Sequence, residues 1–214
     1  MVFENRTQAG HLLANLLFEY QNRDNVIVLG IPRGGVVVAK EIARVLSLPL
    51  NIYISRKVAL PNDPELGIGA ISELNTTFIS EQLISYMHCS KEEIKKIIER
   101  EKKELKRRIL LYRKNNKLRL LKNKTIILVD DGLAMGFTAY VAILSLKKRS
   151  ASQIIFACPV AAHDNFEKLK KETGIRGVTL HEYFESSSIG SFYKDFHQVS
   201  DDEVVNMLKN KNKI

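Results

Sequence analysis

The chain lacks the features that would place it in several large functional classes. Its two cysteines, Cys89 and Cys158, sit in unrelated contexts without a CxxC spacing. That argues against a disulfide scaffold or a cysteine-built metal site and leaves free thiols as the expectation. No apolar stretch reaches the length of a membrane span, and none near the N-terminus has the length of a signal peptide. The expected location is therefore the cytoplasm. Three signatures are missing: a GxxxxGK loop ending in Ser or Thr, a GxGxxG fingerprint at the first strand–helix turn, and a GxSxG elbow. A nucleoside triphosphatase loop, a dinucleotide fingerprint and a hydrolase nucleophile are excluded on those grounds. There is no internal repeat, low-complexity tract or linker. A length of 214 residues fits one domain, 1–214, carrying an insertion.

Charge is present in excess, but in one place. The formal net charge is +9, from 33 Lys/Arg and 24 Asp/Glu. Between Lys91 and Lys124 the chain carries 15 of the basic residues and only 5 of the acidic ones. The remainder is close to neutral. The basic character belongs to an insertion at about residues 80–123 and not to the fold as a whole. A solvated helix face is the simplest reading, with RNA or another polyanion as the alternative.

Apolar periodicity organises the rest. A helix is expected from Thr7 to Tyr20, a buried strand over Val26–Ile31, a helix over Val36–Leu46 and a strand over Leu50–Ser55. This βαβ order implies parallel strands. Residues 59–79 open as a loop, and Gly67–Ser72 and Thr77–Ile79 are spaced to pair as an antiparallel ribbon. Helices follow at Glu81–His88 and Lys91–Arg113, the second opened by Ser90 with Glu93 in a capping-box pattern. Ile94, Ile97, Ile98, Leu105, Ile109 and Tyr112 give it one apolar stripe, so it packs against something. Further elements are a strand over Thr125–Val129, a helix over Phe137–Lys148, a strand over Gln153–Ala157, a helix over Asp164–Glu172 and a strand over Gly177–His181. A last helix begins near Asp201. The expected class is α/β: a Rossmann-like parallel sheet flanked by helices, with a small hood and a helical insertion.

The stretch from Ile126 to Thr138 carries the chemistry. An apolar strand runs into Asp130-Asp131 and a turn holding Gly132 and Gly136, and a helix starts near Phe137. Ligands of open parallel sheets bind beyond the carboxyl ends of strands. The free amides and positive dipole end of the helix suit a phosphate, and Thr138 adds a hydroxyl. Two carboxylates would repel that phosphate, so they should face hydroxyls or a metal. A ribose 5-phosphate meets both demands.

The segment TIILVDDGLAMGFTAYVA resembles the 5-phosphoribosyl-1-pyrophosphate (PRPP) signature of type I phosphoribosyltransferases. The resemblance implies that Asp130 and Asp131 hold the ribose hydroxyls. It also implies that Gly132, Leu133, Ala134, Met135, Gly136, Phe137 and Thr138 cradle the 5-phosphate. Met135 stands where a threonine is usual, which removes one hydroxyl donor and implies weaker binding. Pro32-Arg33-Gly34-Gly35 resembles the family's pyrophosphate loop, with a cis peptide expected at Pro32–Arg33. Arg56 and Lys57 match basic residues that touch pyrophosphate, and Val58–Glu73 matches a flexible catalytic loop. Glu65 and Glu73 within it are expected to give structural support. The wider set of Arg6, Ala9, Gly10, IPRGG, SRK, NDPELGIGA, IEREKKELKRR, LVDDGLAMG and FYKDFHQVSDDEV is similar to an uncharacterised branch of the superfamily.

The reaction implied is displacement at the ribose anomeric carbon by a nitrogenous small-molecule acceptor, with Asp130, Asp131, Arg56 and Lys57 as the catalytic set. Mg²⁺ would be held mainly by PRPP and water and not by a dedicated protein cage. Phe184, Phe192, Tyr193 and Phe196 either stack on the acceptor or fasten the C-terminal tail, and His181 and His197 are expected to be structural or exposed. Two alternatives stay open: a PRPP-sensing regulator that binds RNA through the basic helix, and an insertion that serves as a homodimer contact.

Overall fold

A computed structural model of the chain describes residues 1–60, 63–87, 89–114, 118, 121–184 and 187–209, the side chains of 63–66 excepted. His88 and the side chain of Glu65, both named above, fall outside the described residues. Five parallel strands form the main sheet: β1 (Val26–Gly30), β2 (Leu50–Ile52), β6 (Thr125–Val129), β7 (Gln153–Ala162) and β8 (Arg176–Tyr183), in the order β2-β1-β6-β7-β8. β1 and β6 are buried along their whole length, as expected of central strands covered on both faces. The flanking helices are α1 (Arg6–Asn15), α2 (Gly34–Val45), α5 (Phe137–Lys147) and α6 (His163–Thr173). Alternate residues of β6 feed the two sides of the core. Ile126 and Leu128 join Ala142 and Leu146 on one face, while Ile127 and Val129 join Leu13, Val38 and Ile42 on the other.

A second, antiparallel sheet of β3 (Ser55–Leu60), β4 (Asp63–Ser72) and β5 (Thr77–Ile79) departs from the expectation of one strand at Leu50–Ser55. β2 ends at Ile52, opposite the last residue of β1. The chain then crosses to the second sheet through Tyr53 and Ile54, both fully buried. The Tyr53 amide donates to the Gly30 carbonyl at 3.0 Å, and the Ile54 amide to Glu73 Oε1 at 2.8 Å. The apolar pattern continues through the crossing, which is why the sequence reads as one strand. The segment expected as a flexible loop, Val58–Glu73, is largely strand. Val58, Ile68 and Ile71 are buried, so apolar packing holds what Pro, Asn and Gly content suggests is loose.

Two more helices, α3 (Glu81–Tyr86) and α4 (Lys91–Arg113), form the insertion. The Ser90 and Glu93 capping box opens α4 with both reciprocal bonds present. The apolar stripe of α4 is covered within the chain. Ile94, Ile97, Leu105 and Tyr112 are buried with Val58, Ile68 and Ile71 and with Val204 of α7 (Asp201–Lys209). Leu105 is 6% exposed and already packed within the chain, so it has little surface to offer a contact with a second copy. At the other edge β7 runs past Pro159 to Ala162, further than the apolar run suggested. No helix among the described residues is long and apolar enough to cross a membrane.

Leu105→Ala leaves a cavity under α4 and should lower the unfolding free energy by about 2–5 kcal/mol. Denaturant melts would read that loss, with no accompanying change of mass in size-exclusion chromatography. A halved mass at unchanged stability would restore the intermolecular reading.

Candidate active site

Two helix N-termini converge at the carboxyl edge of the main sheet, one after β1 and one after β6. Gly136, at φ +76°, is the N-cap of α5, in a left-handed conformation that side-chain-bearing residues seldom adopt. The loop before it is stitched down at several points. The Leu133 amide donates to the Val160 carbonyl and the Leu133 carbonyl accepts from Ala162, each at 2.8 Å. Asn165 of α6 donates to the Ala134 carbonyl, also at 2.8 Å. The Leu133 amide is thus committed to β7 and is not free to meet a ligand. Gly132 was expected to serve the tight turn, but its role is space. A Cβ there would come within 2.3 Å of Ile189 in the overlying C-terminal segment.

The second loop meets the first directly. The Pro32–Arg33 peptide is cis, and α2 starts at Gly34. A Cβ on Gly34 would lie 1.8 Å from Asp131 Oδ2, and one on Gly35 would lie 2.8 Å from the Asp130 Cα. Both glycines are therefore required for the loops to touch, in addition to any role in exposing amides.

Asp130 and Asp131 are adjacent in sequence but unlike in environment. Asp131 Oδ2 accepts from Arg6 Nε at 2.7 Å, while Arg6 Nη1 donates to the His197 carbonyl and the guanidinium lies 3.8 Å from the Phe196 ring centre. Asp130 Oδ1 accepts from the Asp131 amide at 2.9 Å. Burial pushes the Asp130 carboxyl well above the ordinary carboxylate range, and the Asp131 charge pushes the same way. One carboxylate is balanced by a buried arginine; the other is driven toward its neutral form. Arg6 enters the sequence pattern only as one residue of a wider set, because its partner lies 125 positions away.

A cavity of about 520 Å³ brings Arg33, Gly34, Arg56 and Lys57 together with Asp130, Asp131 and Thr138. A second, of about 480 Å³, shares Lys57, Asp130 and Thr138 and extends along Gly132–Phe137 to Ser188–Gly190 and Phe196. Every sequence-predicted site residue except Gly35 lines one or both, and Gly35 lies beneath, against Asp130. The sequence did not indicate Arg100, Glu101 and Arg108 of α4, which wall the first cavity. Glu101 Oε2 accepts from Arg56 Nε at 2.8 Å and Nη2 at 2.5 Å. Arg33 lies 3.9 Å from Asp201 of α7.

Most of the aromatic candidates fasten the tail. Tyr193 packs on Phe3 and Phe196 and donates to the Asp131 carbonyl at 2.6 Å, and Phe192 packs on His181 and Tyr183. Phe196 faces the second cavity, whereas Phe184 is 78% exposed. His197 is exposed between Asp195 and Glu203, and Glu73 is tied to Arg113. Both cysteines are free, Cys158 buried and Cys89 partly so. The fold also gathers His163, Glu167 and Glu182, whose ligand atoms lie within 4.8 Å of one another, a grouping no sequence spacing reveals. His163 is already paired with Glu182, and Glu167 with Lys170.

The sequence model of the phosphoribosyl transferase domain matches residues 4–183. The chain belongs to this family. It is 32% identical over 209 residues to a Mycobacterium tuberculosis protein named "putative phosphoribosyl transferase", an overlap covering 97% of this chain and 46% of that one. The chain thus spans about half the length of the curated relatives it matches. TT1426 from Thermus thermophilus shares 32% identity and the same fold, with a TM-score of 0.77 over 97% of this chain and 98% of that one. A uracil phosphoribosyltransferase from Ligilactobacillus salivarius is 39% identical over 66 residues, 29% of this chain and 32% of its own length.

Within this phosphoribosyl transferase fold the state of Asp130 has a measurable consequence. Its folded pKa lies above the ordinary 3.8. Its contribution to stability is therefore full below about pH 4 and is lost as pH rises through the folded value. Asp130→Asn keeps the acceptor oxygen but cannot ionise. Its melting temperature should gain on the wild type as the pH is raised above about 4. Parallel melting curves for the two proteins would contradict a raised Asp130 pKa.

Proposed function

We propose that the chain transfers ribose 5-phosphate from PRPP to a nitrogenous small-molecule acceptor, releasing pyrophosphate. The observation that carries this reading is the convergence of two helix N-termini on one pair of carboxylates, with three basic side chains, Arg33, Arg56 and Lys57, on one side. Amides of the 134–138 stretch and the Thr138 hydroxyl would take the 5-phosphate. Asp130 and Asp131 would meet the ribose hydroxyls, Asp131 with its charge steadied by Arg6. The pyrophosphate would lie between the Pro32–Gly35 loop and Arg56-Lys57. In the reaction the bond from the anomeric carbon to pyrophosphate oxygen breaks, and a bond from that carbon to acceptor nitrogen forms. The acceptor gives up a proton, and pyrophosphate leaves with the bonding electron pair. Positioning and charge stabilisation supply most of the catalysis.

Mg²⁺ fits this cavity as a companion of the ligand. Glu101 is engaged by Arg56 and Arg100, and Asp131 by Arg6, so its shell would come mainly from PRPP and water. Bound there it would neutralise charge on the pyrophosphate. The acceptor would enter beside Phe196 and Ile189, under the C-terminal segment. The reading places the protein in the cytoplasm as a homodimer, with exposed Leu110 and Leu111 and not the buried stripe available for the contact.

Release of pyrophosphate from PRPP across a panel of nitrogenous acceptors tests the activity, and Asp131→Asn should abolish any turnover found. Met135→Thr restores a hydroxyl beside the phosphate and should tighten PRPP binding by about tenfold. No change in affinity would show that residue 135 does not face the phosphate. The alternative is a non-catalytic PRPP sensor that meets RNA through the exposed lysines of α4, such as Lys95 and Lys103. It separates from the enzyme in the same screen, because it binds PRPP and releases no pyrophosphate.

A further inference from the structure

We propose that α4 is a wall of the substrate site, with Arg108 and Arg100 gripping the pyrophosphate end of PRPP and Glu101 positioning Arg56 beside them. The inference deepens the proposed function and rests on PRPP being the substrate.

From sequence α4 is a basic insertion with a solvated polar face. In the fold one part of that face is turned inward. Glu101 and Arg108 are two turns apart on the side that looks into the 520 Å³ cavity, and Arg100 stands at its rim. The Arg108 side chain is only 13% exposed, against 50% for its neighbour Arg107. An arginine is held away from water at a cost unless its charge is matched. Here, among the described residues, the matching is incomplete. Glu104 serves Arg107 and Arg108 and lies 3.8 Å from Arg56, and Glu101 serves Arg56 and Arg100. The hydrogen bonds from Arg107 and Arg108 hold Glu104 ionised, with its pKa brought down to about 2.

Among the described residues five arginines, Arg33, Arg56, Arg100, Arg107 and Arg108, share three carboxylates, Glu101, Glu104 and Asp201, while Asp131 is taken by Arg6. The shortfall is of negative charge, and a pyrophosphate group supplies it. Arg108 meets Glu104 through Nε at 2.9 Å, so the paired terminal nitrogens of its guanidinium are not taken up by that carboxylate. A guanidinium presenting two parallel donors is the side-chain group best shaped for phosphate oxygens. Glu101 plays a different part. It is 6% exposed and accepts two bonds from Arg56, which fixes where that guanidinium points. Arg56 thus enters the site as half of an ion pair with the insertion. The inner and outer faces of α4 consequently differ in task, the inner one facing ligand and the outer one facing water.

Calorimetric titration with three ligands tests the proposal: Mg²⁺-PRPP, Mg²⁺-pyrophosphate and ribose 5-phosphate. The proteins are the wild type, Arg108→Gln, Arg108→Lys and the outward-facing control Lys102→Gln. Arg108→Gln should weaken PRPP and pyrophosphate by about tenfold to a hundredfold and leave ribose 5-phosphate within about twofold. Arg108→Lys, which keeps the charge but loses the fork, should fall between, and Lys102→Gln should match the wild type. If Arg108→Gln binds pyrophosphate as the wild type does, the inference fails and the proposed function stands. Equal loss of all three ligands would make Arg108 a merely structural residue and overturn the inference too. A wild type that binds none of them would overturn both.

Discussion

Asp130 and Asp131 stand side by side at the end of a buried strand, and their mutual repulsion is a constraint that the surrounding chain answers in two ways. Arg6 reaches from the first helix to neutralise Asp131, and burial drives Asp130 toward its protonated form. Each answer ties a distant part of the chain to the site. Arg6 also donates to the His197 carbonyl and stacks on Phe196, so the C-terminal tail is held by the same guanidinium. Tyr193 closes the arrangement by donating to the Asp131 carbonyl. Gly34 and Gly35 complete it, since any side chain there would push the two loops apart. The C-terminal segment, the first helix and both loops are therefore tied together around two carboxylates.

The second sheet and the insertion form the other half of the cleft. β3 carries Arg56 and Lys57, and α4 packs its apolar stripe on β3 and β4 while its acidic residues hold Arg56. Asp201 of α7 joins Arg33 to Arg107 and to the Tyr112 hydroxyl, so the first loop and the insertion share a carboxylate. The basic insertion is in this way coupled to the chemistry on its inner face.

Much of this was legible in the chain and some was not, for identifiable reasons. The β6–α5 unit reads clearly because five apolar residues, two acids and a glycine turn follow one another without interruption. The start of α4 reads clearly because Ser90 and Glu93 form a complete cap. What α4 packs against could not be read, because an apolar stripe says that a partner exists and not which one. The switch of sheets at Tyr53 was hidden by an apolar pattern that runs on unbroken. The strand character of Val58–Leu60 was hidden by the Pro, Asn and Gly that follow, whose local preferences are overridden by the burial of Val58, whereas Gly67–Ser72 and Thr77–Ile79 pair as the ribbon their spacing suggests. Arg6 and Arg108 depend on contacts between distant parts of the chain, which periodicity does not encode.

A crystal structure with ribose 5-phosphate bound is the most direct test. The phosphate should lie within hydrogen-bonding distance of backbone amides in the 134–138 stretch and of the Thr138 hydroxyl, with the ribose hydroxyls turned toward Asp130 and Asp131. A phosphate lodged instead among Arg33, Arg56 and Arg108, with the 134–138 loop empty, would contradict it.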